Sequence, residues 1–521
     1  MSFANFQRFL DASEQSQVTR SPLEFPLRFR SHAPTRRAFL LTGVAAALAV
    51  PALKAAEPAS ETFRLERSGE TPQLARVTVD VNVEGHLRVN PDGKEVKQLP
   101  LTAEGKLEYV ERLLAAGAAP RSIRHYSAAT ASLKVNEATD NSELGESRRL
   151  VVVDCAEQRP LLYSPLGPFT REEIELLETP FNSLVIDQLL PPAAIRLEES
   201  WKHGDDVLCR LLGLDAVSKS EVRSTLREVV EEQGRKIARL ELAGTLDGAV
   251  GGVATGIELK AKYAFDFSAG RITWLTAGIG EDRSIGHAAP GFRLVAKVRV
   301  VRQPMPAEHA GAAEVSTEAV RGIDLARHGG SELLLLDSKP GRFSLLHGRA
   351  WQMMADRPDV TILRLVERGD LIAQCNVSRL PPLEVGREVT LEEFQRDTQR
   401  ALGQNFGQFI QASQGTTDTG LRMLRVLAAG KVSDIQIHWI YYHLSQGPNR
   451  VAVVFTIETK LTEGFAAGDL PLVSTLRFTR DASSTTAGPP KPPAKEEPAI
   501  KEESAAIEIS EKPAPEDPSA R

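Results

Sequence analysis

Cysteine and aromatic residues are scarce in this sequence. Its 521 residues include three cysteines, and aromatic side chains account for 6% of the chain. Cys155, Cys209 and Cys375 lie far apart, so the short spacing of a CxxC redox or zinc site does not occur. We therefore predict no metal site and no cofactor, and we expect buried thiols that pack as small apolar groups. A Cys155–Cys209 disulfide is the alternative.

The sequence also has no marked excess of charge of one sign. Its 63 basic and 69 acidic residues are mixed along the chain and give a net charge of -6. This distribution excludes the basic footprint of a nucleic-acid-binding protein. The apolar run at residues 38–50 is shorter than the roughly 20 residues that cross a bilayer as a helix. We therefore expect no nucleic-acid partner and no stable transmembrane helix in the mature protein.

Familiar catalytic motifs are missing as well. Neither G-x-S-x-G nor H-E-x-x-H is present. The glycine-rich stretch 248–256 precedes a strand pattern and lacks the Lys-Ser or Lys-Thr of a phosphate loop, so it predicts a turn. His438 and His443 lie an odd number of residues apart on a predicted strand, which places them on opposite faces and argues against a shared metal ion.

Acidic residues and a histidine offer a catalytic alternative without a motif. Asp205 and Asp206 follow His203 just before an apolar helix, where they also suit helix capping and the helix dipole. His287 lies in a connection between predicted strands, close to the polar stretch 281–283. An extracytoplasmic hydrolase that uses Asp205, Asp206 and His287 is therefore the alternative to a non-catalytic protein.

Residues 35–56 have the layout of an export signal. A pair of arginines precedes the apolar run at 38–50, and small residues follow it. The arginine pair, one further residue, a phenylalanine and a leucine together resemble the twin-arginine motif. The motif residues are Arg36, Arg37, Phe39 and Leu40, and the candidate cleavage sites follow Ala55 or Ala56.

This resemblance implies export in the folded state, with the export machinery as a partner and the periplasm or the extracellular space as the destination. A signal that stays uncleaved and anchors the protein to the membrane is the alternative. The twin-arginine route carries folded proteins of many kinds, so the motif does not imply a cofactor.

Composition and hydropathy divide the chain into six parts. The ends are polar, and the tail is rich in proline, lysine and glutamate without large apolar clusters, which predicts disorder. We predict a disordered leader (1–34), the export signal (35–56), a first domain (59–304), a linker (305–330), a second domain (331–480) and a disordered tail (481–521).

The first domain is predicted to be a curved antiparallel sheet with inserted helices. Apolar residues alternate with polar ones over 77–83 and again over 257–267, as in strands with one buried face. Thr170 and Glu173 form a capping-box pattern that starts a helix. Residues 220–232 also carry apolar side chains at helical spacing. The layout resembles the half-barrel of periplasmic lipoprotein carriers, which implies a curved sheet over helices.

The second domain resembles the PsbP/DcrB-like fold over about 150 residues. A hairpin containing Trp351, a strand with Ala373-Gln374-Cys375 and a helix that begins after Thr390 carry this resemblance. We place Phe406 and Phe409 on that helix. The family consists mostly of non-catalytic accessory proteins. The whole chain also resembles uncharacterised secreted proteins of planctomycete type.

These patterns predict an α+β protein of two domains, each an antiparallel sheet packed with helices. We expect an exported, non-catalytic binding or scaffold protein whose curved sheet holds an apolar ligand, such as a lipid, or a partner protein. Ordinary core packing is the alternative role for the aromatic residues of the predicted ligand surface. That surface consists of Trp201, Tyr263, Phe265 and Trp274.

Overall fold

A computed structural model describes seven stretches of the chain: residues 61–66, 74–90, 95–116, 119–306, 309–384, 386–465 and 468–479. Contacts divide the chain into two units, 1–479 and 480–521, and the second unit lies wholly outside the described residues. The predicted leader, the tail and the export signal also lie outside them. The signal residues concerned are Arg36, Arg37, Phe39, Leu40, Ala55 and Ala56.

The first half of the described chain is dominated by strands. They are β1 (Thr62–Phe63), β2 (Leu74–Val89), β3 (Lys97–Ala115), β4 (Arg121–Val135), β5 (Ala138–Glu143), β6 (Leu150–Asp154) and β7 (Leu161–Tyr163). After them come α1 (Arg171–Leu177), β8 (Ile195–Arg196), β9 (Ser200–Lys202), α2 (Asp205–Leu212), β10 (Ala216–Ser220), β11 (Arg223–Glu232), β12 (Arg235–Val250), β13 (Val253–Asp266), β14 (Arg271–Arg283) and β15 (Gly291–Met305).

These strands form a 13-stranded antiparallel sheet, with β1 and β8 paired separately. The order is β7-β6-β4-β3-β2-β15-β14-β13-β12-β11-β9, while β5 pairs with β4 and β10 pairs with β12. The first long strand, β2, therefore pairs with the last, β15, and brings the two ends of this part of the chain together. We call the face that carries the main apolar cluster the inner face and the opposite one the outer face.

The second half forms a seven-stranded and a three-stranded sheet. Its elements are β16 (Leu334–Ser338), β17 (Phe343–His347), β18 (Trp351–Asp356), β19 (Thr361–Glu367), β20 (Asp370–Arg379), α3 (Leu391–Leu402), β21 (Phe406–Thr416), β22 (Arg422–Val432), β23 (Ile435–Gln446), β24 (Asn449–Glu458), α4 (Thr462–Phe465), α5 (Leu470–Thr475) and β25 (Arg477–Phe478). The orders are β18-β19-β20-β24-β23-β22-β21 and β16-β17-β25.

Apolar side chains cover the two faces of the seven-stranded sheet differently. Phe455 on one face packs with Trp351 and Phe465, and α5 joins the same cluster. On the other face, Phe394 and Leu402 of α3 lie over β22 and β23. Short 3-10 helices complete the fold at Glu146–Arg148, Ile186–Leu189, Ala310–Val315, Gly403–Asn405 and Thr459–Leu461.

The predicted α+β fold class is wrong, because the described residues are mostly β, with 56% strand and 14% helix. Residues 220–232 were predicted to be helical, yet most of them form β11. A β-bulge between Leu226 and Glu228 interrupts the alternation of this strand. Apolar residues then recur three positions apart, a spacing that resembles one face of a helix. Phe406 and Phe409 lie in β21, not in the helix predicted for them.

The predicted capping box at Thr170 is confirmed, and a second one starts α3. The Thr170 hydroxyl accepts the backbone N–H of Glu173 at 3.2 Å, and the Glu173 carboxylate accepts the N–H of Thr170 at 2.9 Å. Thr390 and Glu393 make the same pair of bonds at the start of α3. Each box satisfies two of the N–H groups that a helix leaves unpaired at its start.

The described residues of the predicted linker 305–330, which are 305–306 and 309–330, pack on the outer face of the first sheet. Val315, which is fully buried, joins Val110 and Ile123 in an apolar cluster. Arg112 of β3 donates to the carbonyl of Val315 at 3.1 Å. The Tyr163 hydroxyl donates to the carbonyl of Leu325 at 2.8 Å. This stretch therefore covers β3, β4 and β7 from outside.

Hydrogen bonds and one close backbone contact connect the first half of the described chain to the sheets of the second half. The N–H of Leu335 donates to the carbonyl of Phe169 at 2.7 Å. Arg171 of α1 donates to the carbonyls of Arg349 and Trp351 at 2.7 and 2.8 Å. The turn between β12 and β13 also approaches β19–β20 so closely that a Cβ at Gly252 would meet the backbone of the opposing turn.

Candidate functional site

The inner face of the first sheet is covered by the chain itself. Residues 164–199, between β7 and β9, form a segment that we call the inserted segment. Its residues Phe181, Val185, Ile186 and Leu189 are at most 1% exposed. They belong to the same apolar cluster as the inward-facing side chains of β2–β4 and β12–β15. The inserted segment therefore occupies the space where a curved sheet would hold an apolar ligand.

The four residues of the predicted ligand surface do not form one surface. Tyr263 and Phe265 are each 1% exposed and lie on the inner face. Trp201 is half-buried, and its indole N–H donates to the carbonyl of Leu189 at 3.1 Å. Trp274 faces outward, because the neighbouring Leu275 is fully buried in the inner cluster. The structure thus brings three of the four beside the inserted segment or its cluster and separates Trp274 from them.

Trp274 lines a shallow groove of ≈ 850 Å³ on the outer face of β11–β14. Most of the other lining side chains are charged, and they neutralise one another. Arg227 pairs with Glu241 at 2.8 Å, and Lys262 reaches the same carboxylate at 3.5 Å. Arg239 pairs with Glu228 at 2.8 Å. Exposed pairs of this kind contribute little to stability and leave little net charge for a ligand.

A buried polar cluster fixes the inserted segment to β3 and β4. Glu111 and Arg124 lie opposite each other in the sheet, and their side chains form an ion pair at 2.8 Å. They are 5% and 2% exposed. Arg124 also donates to the Asn182 side chain at 2.5 Å and to the Ser183 hydroxyl at 3.1 Å, and both residues belong to the inserted segment. Tyr109 hydrogen-bonds to the same hydroxyl at 2.8 Å.

The electrostatics of this cluster favour the charged form of Glu111. Burial opposes its ionisation, but the positive charges of Arg124 and Arg302 and the hydrogen bonds of the cluster outweigh that effect. The pKa of Glu111 therefore lies below its usual value. Burial raises the pKa of Tyr109 well above its usual range, so this phenol stays protonated. The cluster thus holds one carboxylate and one guanidinium, each with its hydrogen-bonding partners.

A second buried ion pair anchors the same segment to β15. Asp187 and Arg302 are 8% and 3% exposed and lie 2.8 Å apart. The Asp187 carboxylate also accepts the backbone N–H of Ile272 at 3.0 Å, and Arg302 donates to the carbonyl of that residue at 3.0 Å. The inserted segment is therefore held on both sides of β2, by the hydrogen bonds of Arg124 on β4 and by the Asp187–Arg302 ion pair on β15.

The residues of the predicted hydrolase site make separate contacts. Asp205 and Asp206 begin α2, and Asp206 pairs with Arg210 at 3.5 Å along the helix. His287 is exposed, and its backbone carbonyl accepts a hydrogen bond from Arg364 at 2.9 Å. Within the described residues, no hydrogen bond or ion pair joins either aspartate to His287.

All three cysteines are buried and free. Burial raises the pKa of the Cys155 thiol to about 12, and it also raises the pKa values of Cys209 and Cys375. The side-chain amide of Gln158 donates to the sulfur of Cys209 at 3.3 Å. The thiols therefore stay protonated at neutral pH, and the alternative Cys155–Cys209 disulfide is not formed in this structure.

Comparisons with known proteins identify no family. No protein-family model and no curated protein matches the chain. A protein from Bacteroides thetaiotaomicron VPI-5482 resembles part of it with a TM-score of 0.22 and 11% identity, over 28% of this chain and 48% of that one. The chain thus spans about half the length of that protein.

Two outer membrane proteins are also similar at low scores. The translocator domain of autotransporter NalP from Neisseria meningitidis gives a TM-score of 0.11 at 9% identity, over 74% of this chain and 88% of that one. The outer membrane protein OprD from Pseudomonas aeruginosa gives 0.10 at 9% identity, over 76% and 95%. Likenesses at these TM-scores carry no argument about the fold or function of this chain.

The described residues contain neither a candidate membrane-spanning helix nor a candidate metal site. Within them, no helix has the length and apolar character that a membrane span requires. The same residues contain no group of three or more His, Cys, Asp or Glu side chains placed to hold a metal ion.

We predict that Arg124→Met lowers the free energy of unfolding by about 3–5 kcal/mol, because it leaves the buried Glu111 carboxylate without its partner. Urea unfolding followed by tryptophan fluorescence measures this loss. The control is Arg227→Met, which removes an ion pair of the same 2.8 Å length from the exposed outer face. Equal losses in the two variants would contradict the assignment. The double variant Glu111→Leu, Arg124→Met should lose less than the two single changes together.

We also predict that stability declines as pH falls from 6.5 toward 4. His203 hydrogen-bonds to Ser224 at 2.7 Å, and burial lowers its pKa from 6.5 to about 4. Below pH 6.5 the unfolded chain binds this proton and the folded chain does not, which costs about 3 kcal/mol over the whole window. Burial also lowers the pKa values of His347 and His443 to about 4.

Urea midpoints at pH 7.5 and pH 5 measure this dependence. His203→Gln should reduce the difference between the two midpoints, because it removes one of the three buried imidazoles. His287→Gln, at an exposed position, should leave the difference unchanged. A His203→Gln variant with the full pH dependence of the wild type would show that this histidine is not buried in the neutral form.

Proposed function

We propose that this chain is an exported, non-catalytic scaffold protein that binds a protein partner through its surfaces. The filled inner face is the observation that carries this proposal. An apolar ligand would have to displace the inserted segment, break the contacts of two buried ion pairs and expose its apolar side chains. A partner that binds outside the sheets meets no such cost.

The joint between the two large sheets supports a scaffold role. Arg349 contributes to it through an ion pair with Glu178 at 3.1 Å and a hydrogen bond to the carbonyl of Leu162 at 2.5 Å. Burial in this joint lowers the pKa values of Arg171 and Arg349. A firm joint keeps surfaces on both sheets at a fixed separation, as a scaffold requires.

The proposed location is the periplasm or the extracellular space. The twin-arginine-like motif supports it, and the buried thiols are compatible with folding before export, because no disulfide has to form. An uncleaved signal would instead leave the same domains attached to the membrane.

We predict that native mass spectrometry of the exported protein detects the polypeptide alone or with a protein partner at fixed stoichiometry. The protein should be isolated from the extracytoplasmic fraction under mild conditions and compared before and after organic extraction. A stoichiometric lipid or other apolar small molecule would contradict the proposal and favour a carrier. The same sample, incubated with ester, phosphoester and peptide substrates, should show no hydrolysis.

We further predict that the double substitution Arg36→Lys, Arg37→Lys retains the protein in the cytoplasm. The twin-arginine route depends on the arginine pair and not on positive charge alone. Cell fractionation and immunoblotting measure the distribution. Arg28→Lys, Arg30→Lys is the matched control, because it makes the same chemical change in the leader that precedes the export signal. Normal export of the Arg36→Lys, Arg37→Lys variant would contradict the signal assignment.

A further inference from the structure

Three side chains form a row across one end of the seven-stranded sheet. In the strand register, Arg422 of β22 lies opposite Ser445 of β23, and Ser445 lies opposite Arg450 of β24. Directly opposite residues have Cβ atoms about 5 Å apart and point to the same face. Leu424, two residues from Arg422, packs against Phe394 of α3, so the row lies on the face that α3 partly covers.

A buried histidine lies next to this row. His443 shares the face of Ser445, is 2% exposed and lies with its ring centroid 5.9 Å from that of Phe394. Neither of its ring nitrogens has a hydrogen-bond partner among the described residues. Within the same residues, Nε and Nη1 of Arg450 are buried without a partner. A buried polar atom without a partner destabilises the fold, because it gives up its hydrogen bonds to water and gains none.

Thr398 adds a further polar atom on the helix side. It lies one turn along α3 from Phe394 and is 2% exposed. Its hydroxyl also has no hydrogen-bond partner among the described residues. The unsatisfied atoms therefore come from α3, β23 and β24 and lie where the helix meets the sheet. Their coincidence points to a bound group that supplies the missing partners.

The charges around the histidine are predominantly positive. Burial lowers the pKa of Arg450, and the charge of Arg387 lowers it further. Burial, together with the charges of Arg450 and Arg422, lowers the pKa of His443 to about 4, so the imidazole is neutral at pH 7. A neutral imidazole can donate one N–H without adding charge. An anion between the guanidinium groups would offset their mutual repulsion.

The nearby acidic groups are engaged at the surface. Glu388 pairs with Arg422 at 3.4 Å, but its side chain is 73% exposed. Asp397 of α3 pairs with Arg400 at 3.1 Å and is 62% exposed. Neither carboxylate forms a hydrogen bond to the buried Nε or Nη1 atom of Arg450. The buried part of the cluster thus keeps its donors available.

We propose that Arg422, His443, Ser445 and Arg450 bind a small oxyanion, a carboxylate or a phosphate, at the junction of α3 with the sheet. The guanidinium of Arg450 has two edges with paired donors, Nε with Nη2 and Nη1 with Nη2, and either edge matches two oxygens of such a group. Ser445 and His443 add a hydroxyl and a ring N–H, and Arg422 adds charge from the opposite side. This site is separate from the inserted segment and does not depend on the proposed scaffold function.

Isothermal titration calorimetry of the full chain with inorganic phosphate and, separately, with citrate tests the site. The wild-type protein should bind at least one of the two anions at low ionic strength. The anion that binds shows whether the site prefers a phosphate or a carboxylate. Arg450→Lys keeps the charge but loses the two-pronged donor, so its affinity should fall about 10-fold to 100-fold. The control Arg400→Gln, on the exposed side of α3, should bind as wild type does.

His443→Phe provides a second test that does not change net charge at neutral pH. It removes the ring N–H and should weaken binding, while circular dichroism checks that the variant stays folded. Wild type that binds neither anion would overturn the proposal. Equal affinity in Arg450→Lys, Arg400→Gln and wild type would also overturn it, because binding would then arise from the general positive charge of the surface.

Discussion

The structure depends on buried ion pairs that fasten one segment of the chain to the inner face of a large sheet. A charged group in an apolar interior is tolerated only when its partner is present and its hydrogen bonds are satisfied. Arg124 meets both conditions through Glu111 and two side chains of the inserted segment. Arg302 of β15 forms the second buried ion pair, with Asp187 of the inserted segment. Separating the segment from the sheet would therefore break the Asp187–Arg302 pair and remove the hydrogen bonds that Arg124 makes to Asn182 and Ser183.

This constraint explains why the inner face of the first sheet is filled by the chain itself, so that binding has to occur on outer surfaces. The aromatic side chains that could line a cavity, Tyr263 and Phe265, are used as core. The groove on the outer face carries charges that are already paired. On the α3 face of the second sheet, buried polar atoms without a hydrogen-bond partner among the described residues gather on Thr398, His443 and Arg450. Binding on the surface of a fixed framework fits this distribution better than storage of a ligand within it.

Much of the fold could be predicted from local patterns. The capping boxes at Thr170 and Thr390 were predictable because both partners lie three residues apart. Alternation over 77–83 predicted β2 for the same reason. The bulge in β11 has no local signal, because one extra residue changes a two-residue period into an apparent helical one. Phe406 and Phe409 likewise continue the apolar spacing of α3 into β21, so the predicted helical content is too high.

The sites were harder to predict, because they depend on the pairing of strands. Glu111 and Arg124 are opposite charges at inward-facing positions of consecutive strands, and the sequence pattern contains this signal for an ion pair. Asp187 and Arg302, which are 115 residues apart, have no comparable signal. The Arg422, Ser445 and Arg450 row appears only once the register of three strands is known.

Hydrogen exchange measured by mass spectrometry tests most directly whether the inserted segment is permanent core. Backbone N–H groups of Phe181 and Ile186 are hydrogen-bonded within buried structure, like those of β2 and β3. Peptides covering 176–190 should therefore exchange as slowly as peptides from 77–83 and 101–109. Exchange of 176–190 that is much faster than that of the strands would show that the segment opens independently, and it would contradict the account of a closed, ion-pair-fastened interior.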